Sequence, residues 1–182
     1  KKPAAVVLLV HPEGWEAAGS SLLAAELLRS GRVVFSLDAF QTGEHTSKRD
    51  TAERFFTTYN RTDDMERVQD ILTALAYLKS RTEFTTIDLA GAGRAGLWAL
   101  LARALAPPGQ VRRTVVDAAR FDTESDAAYL EKLPIPLLRR AGDFRTATTL
   151  VPPAELLIHN TGSAFRTDWA QNAFRAADKE GN

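Results

Sequence analysis

The chemistry this sequence can offer is concentrated in one short stretch, Gly91-Ala92-Gly93-Arg94-Ala95-Gly96. An apolar run that reads as a buried strand precedes it, and a helix running to Ala106 follows at once. In open α/β sheets a ligand sits where a strand's carboxyl end hands the chain to a helix N-terminus. This turn is therefore the place for a nucleophile or a phosphate cradle, yet it contains neither a hydroxyl nor a thiol. Its spacing, Gly91-x-Gly93-x-x-Gly96 with Asp117 ending the next strand, matches a dinucleotide fingerprint. In that pattern backbone N–H groups would hold a pyrophosphate and Asp117 a ribose hydroxyl. Against it, the fingerprint belongs to the first strand of its sheet, and two strands precede it here. Arg94 either assists an anion or is a solvated first-turn side chain.

The other candidates are sparse. His11, Glu13 and Gly14 follow the first strand, and Pro12 between them removes one N–H donor. His11 reads as a base, as part of a loop that holds developing negative charge, or as a structural strand-end residue. His159 and Asp117 end strands expected to be neighbours, which suits half of a catalytic pair or a hydrogen-bonded structural pair. His11, His159, Asp117 and Asp38 could be imagined around a metal, but no H-x-x-H or H-E-x-x-H spacing supports one. Glu44 and His45 read as solvated loop residues. Asn60-Arg61-Thr62 is a glycosylation triplet of a kind that recurs by chance.

These residues need a scaffold, and the pattern supplies one. Ala4 to His11 is a continuous apolar, β-branched run, as in a strand buried on both faces. Glu16 to Ser30 reads as an amphipathic helix with Leu22, Leu23, Leu27 and Leu28 on one side, and Arg32 to Asp38 as a second strand. Ala39 to Thr62 is polar and irregular. Asp63 to Arg81 carries Val68, Ile71, Leu72, Leu75 and Leu78 as one stripe and should lie on the sheet. Arg112 to Asp117 and Ala154 to Asn160 are the last two strands, with helices near Asp126 to Leu133 and Leu137 to Thr148 between them. Phe165 to Asp178 closes the chain as a helix anchored by Trp169 and Phe174. Alternation of this kind predicts a three-layer α/β/α sandwich around a five-stranded parallel sheet in the order 2-1-3-4-5.

At 182 residues, 45% hydrophobic, the chain suits one domain. Lys plus Arg equals Asp plus Glu at 23 each, so no net field draws it to nucleic acid or an anionic membrane, and neither is an expected partner. Without cysteine, disulfides and thiolate chemistry are excluded.

His11-Pro12-Glu13-Gly14 after the first strand, Asp38-Ala39-Phe40-Gln41-Thr42-Gly43-Glu44 after the second and the glycine-rich elbow after the third together resemble the α/β-hydrolase fold. The likeness is to bacterial esterases of the acetyl xylan esterase and dienelactone hydrolase type, and it runs along nearly the whole chain. The resemblance implies a G-x-S-x-G elbow, an acid after a later strand and a histidine after the last. Here Gly93 occupies the nucleophile's place, and Ser163, in Asn160-Thr161-Gly162-Ser163, the acid's. A strand to carry the histidine is not seen before Asn182. The resemblance thus implies a hydrolase scaffold without a triad, needing no cofactor, which binds a small molecule or carbohydrate or packs against other domains. The start at Lys1 suggests a piece of a longer bacterial protein, which the resemblance would make an exported one. Its last strand should need another domain or a dimer mate to cover the edge. The alternatives kept open are a nucleotide-binding domain using Gly91, Gly93, Gly96 and Asp117, and an active esterase recruiting Ser125 or Ser163.

Overall fold

The structure, a computed structural model, describes residues 4–44, 46–51 and 53–180; His45 lies outside them. Five strands, β1 (Ala4–Val10), β2 (Val33–Ser36), β3 (Phe84–Gly91), β4 (Arg113–Asp117) and β5 (Glu155–His159), form one sheet in the order β2-β1-β3-β4-β5. Every pairing is parallel, as the strand–helix alternation requires.

The apolar runs explain the two layers that flank it. Val6, Leu8 and Val10 point to one face and meet α4 (Asp63–Ser80) and α5 (Ala95–Leu105), whose Ile71, Leu75, Leu78, Leu97, Trp98 and Leu100 are buried with them. Val7 and Leu9 alternate to the other face and meet Ala18 and Ala24 of α1 (Trp15–Gly19) and α2 (Leu22–Arg29). The expected helix from Glu16 to Ser30 is thus two helices. The Ser21 hydroxyl donates to the Ala18 carbonyl and accepts the Ala24 N–H, so it ends one helix and caps the next. The leucine stripe is corrected with it: Leu27 packs inward, while Leu22, Leu23 and Leu28 are exposed.

Among its described residues the irregular segment 39–62 contains only the short helix α3 (Phe56–Tyr59). Beyond β4, α6 (Asp126–Lys132) and α7 (Asp143–Thr149) are held by a ring cluster, Phe121 with Tyr129 at 4.9 Å, Phe121 with Phe144 at 5.6 Å and Phe144 with Phe165 at 5.4 Å. The stretch from Leu137 does not begin α7 as expected, because Leu137 and Gly142 take left-handed backbone, φ 64° and 94°, which a helix excludes. In the closing helix α8 (Asp168–Glu180), Phe174 packs on the core as expected, whereas Trp169 is half-exposed under the Arg145 guanidinium and Phe165, just before the helix, is buried in its stead.

Candidate functional site

The elbow is built from the close approach of β3, β4 and α5. The Ala92 N–H donates to the Val10 carbonyl at 2.9 Å, tying the turn to β1. A Cβ on Gly96 would lie 2.0 Å from the Asp117 carbonyl oxygen, so only glycine lets the first turn of α5 rest on the end of β4. Gly93, at the tip, is different. It takes left-handed backbone, φ +49°, and a Cβ there would meet nothing nearer than Pro12 Cγ at 3.6 Å.

Asp117 closes the elbow from the β4 side. Its carboxylate accepts the Gly93 N–H at 3.1 Å, the Ala119 N–H at 2.8 Å and the Asn160 side-chain amide at 2.8 Å. Burial pushes this carboxyl up, but the Ala119 N–H, the Asn160 amide, the Gly93 N–H and the charge of His159 outweigh it and leave it below the ordinary value. A depressed folded-state pKa contributes stability that is present above the unfolded value, 3.8, and lost as pH falls through the folded one. Asp117→Asn should therefore flatten the loss of thermal stability below about pH 4 relative to the parent chain, as acid melts followed by circular dichroism would show. An identical acid profile in the variant would contradict it.

His159 faces Asp117 in register across the β4–β5 ladder and is exposed. The side chain that bonds Asp117, however, belongs to the next residue, Asn160, which takes left-handed backbone at φ 53° to turn back over the strand end. Ser163 is exposed in the turn that follows, and Ser125 is the N-cap of α6, its hydroxyl accepting the Ala128 N–H.

On the β1 side the turn closes on itself. The Glu13 N–H donates to His11 Nδ1 at 3.1 Å, the Gly14 N–H to the His11 carbonyl at 3.1 Å, and the Trp15 N–H to the Asp38 carboxylate at 2.8 Å. Asp38 also accepts the Glu44 N–H, which ties the loop after β2 to the loop after β1. Each N–H from Glu13 to Trp15 is spent inside the scaffold, and Pro12 has none to give.

Arg94 is half-exposed but not free. It reaches sideways to Asp64, which is 1% exposed, at 2.9 Å and 3.0 Å. Asp64 also accepts from Arg67 at 2.9 Å and from the Trp98 indole N–H at 2.7 Å, and the Arg67 guanidinium lies over the Trp98 ring. A cavity of about 440 Å³ opens here, with Thr51, Phe56, Thr62, Arg67 and Arg94 in its wall. Asp64 was not legible as a site residue: an aspartate in the acidic first turn of a helix looks like a dipole partner, and only the fold shows it buried. Among the described residues no three His, Cys, Asp or Glu side chains converge as a metal site.

No family model and no curated protein matches this sequence. Solved structures do match its fold. An esterase from Pyrococcus furiosus superposes with a TM-score of 0.58 at 15% identity over 98% of this chain and 69% of its own length. A methylesterase gives 0.66 at 18% identity, covering 98% of this chain and 43% of its own. Acetyl xylan esterase 1 from Thermoanaerobacterium sp. gives 0.59 at 13% identity, covering 94% and 65%. The chain thus has an esterase-like α/β fold while spanning from under half to about two thirds of the length of these structures.

Proposed function

We propose that this chain is a non-catalytic α/β-hydrolase-like domain, a module that binds a small molecule or carbohydrate, or packs against a neighbouring domain, through the elbow end of its sheet, where open α/β sheets hold their ligands. The observation that carries this is Gly93. It sits at the tip of the elbow in left-handed backbone, with room for a side chain and none present, so nothing at that point can attack a carbonyl. The surroundings agree. The N–H groups of the first turn, which would help hold an oxyanion, are consumed by His11 and Asp38. Asp117 is engaged with the backbone and Asn160 rather than with a histidine.

The same geometry weighs against a nucleotide. A pyrophosphate at Gly93 would meet the Asp117 carboxylate, already hydrogen-bonded to that N–H, and a ribose would find Asp117 occupied. Thermal-shift titration with NAD, NADP and flavin nucleotides, beside acetyl-ester hydrolysis on the same preparation, tests the proposal. Neither a saturable shift nor turnover is expected; a nucleotide shift would move the site to Gly91 to Gly96, and turnover would reveal a nucleophile.

We further propose that a second domain or a dimer mate covers the β5 side. α1 and α2 rest on β1 and β2, and Leu157, on the same face of the sheet, is 58% exposed. Among the described residues β5 itself pairs only with β4. Rapid amide exchange across Glu155 to His159 in a preparation monomeric by light scattering would count against a cover.

A further inference from the structure

Arg103 stands at the far end of α5, nine residues beyond Arg94 and so roughly 13 Å along the helix axis from it. It is 3% exposed. Among the described residues its guanidinium makes one hydrogen bond, from Nη2 to the Val151 carbonyl at 3.2 Å, and its buried Nε has no partner. Among the described residues no carboxylate pairs with it; the other buried charges do have partners, Asp64 with Arg67 and Arg94, Asp88 with Arg32 and Arg112, and Asp143 with Arg145. A guanidinium keeps its proton in proteins, so it cannot escape burial by neutralising. The partial negative charge at the end of α5 offsets only part of the cost of removing a full charge from water.

Arg103 also lines a cavity of about 500 Å³, within the range of small-molecule sites. Pro107, Pro108, Pro152, Pro153, Leu105 and Leu150 make up much of its wall. The four prolines have no N–H to give, and Arg103 carries the one charged side chain among the residues that line the chamber.

We propose that this cavity is a ligand site, in which Arg103 pairs with the carboxylate of a small monocarboxylic acid whose apolar body packs on the prolines and leucines. The fork of a guanidinium matches a carboxylate in two parallel hydrogen bonds. A phosphate carries more charge and more acceptors than one fork and proline walls can satisfy. The site is separate from the elbow and does not depend on whether the elbow is catalytic.

The test is a thermal-shift and calorimetric titration of the full chain with benzoate and hexanoate, with benzamide, hexanamide and inorganic phosphate as controls. The carboxylates should bind saturably and raise Tm by about 5 to 10 °C at a hundredfold excess over Kd, while the amides and phosphate should not. Arg103→Met should abolish the shift while leaving the unliganded Tm equal or higher, since the lost charge had no partner. Arg103→Lys, which keeps the charge without the fork, should weaken binding at least tenfold and serves if the methionine variant does not fold. No saturable carboxylate effect, an equal effect in both variants, or phosphate binding as tightly as benzoate would overturn the proposal.

Discussion

Asp64→Ala should destabilise the chain by about 3–5 kcal/mol, the cost of leaving a largely buried cation without its counter-charge. Asp64 is 1% exposed and is the shared acceptor for Arg67, Arg94 and the Trp98 indole. Its removal strands one guanidinium that is largely buried, Arg67, and an indole N–H in the core, while half-exposed Arg94 can turn to water. The expected fall in Tm is roughly 6 to 20 °C. Because the group is out of water, raising the salt concentration should recover little of it. Asp64→Asn, which still accepts from Trp98, should lose less. Adding Arg67→Met to Asp64→Ala should restore part of the loss, since two partners in one network are not additive. A change below about 1 kcal/mol on Asp64→Ala, within the range of exposed pairs, would mean the cluster is solvated in solution.

Gly96→Ala should be nearly as damaging, for a steric reason. The added Cβ would sit 2.0 Å from the Asp117 carbonyl oxygen and 2.7 Å from its nitrogen, and both are backbone atoms that cannot swing aside. Either α5 lifts off the sheet or the end of β4 bends, and overpacking of that kind costs about 3 kcal/mol. The displacement would also pull Gly93 away from Asp117, so the acid profile of this variant should flatten as that of Asp117→Asn does. Chemical denaturation measures the first effect and acid melts the second. A parent-like stability would show that the elbow is looser than its contacts.

The parallel sheet and its order were legible because period and composition carry them. Ala4 to Val10 is apolar without interruption, and each strand is followed by a helix, which leaves few topologies. Helix limits failed where side chains compete with the backbone, as at Ser21, or where one residue takes left-handed backbone, as at Leu137. Periodicity does not encode either. The elbow glycines were visible, but the sequence could not separate Gly96, required by contact, from Gly93, which has open space. Asp117 was visible as a strand-end acid. Its bonding to Asn160 rather than to His159 depends on a single left-handed turn after β5. Arg94 was visible as well, but its partner lies thirty residues upstream on another helix and no spacing rule joins them.

The most direct measurement is ester hydrolysis by the parent chain and by Gly93→Ser, side by side, on acetyl esters. The site has room for the serine, since the nearest contact to its Cβ is 3.6 Å, and the left-handed backbone there costs a non-glycine residue about 1–2 kcal/mol, so the variant should fold. Neither protein is expected to exceed background. The proposal expects an oxygen restored at the tip to find no histidine placed to take its proton, and the N–H groups from Glu13 to Trp15 are already spent on His11 and Asp38. Robust turnover by Gly93→Ser alone would mean that a working base and acid already converge on the elbow, and turnover by the parent chain would mean that it is an enzyme.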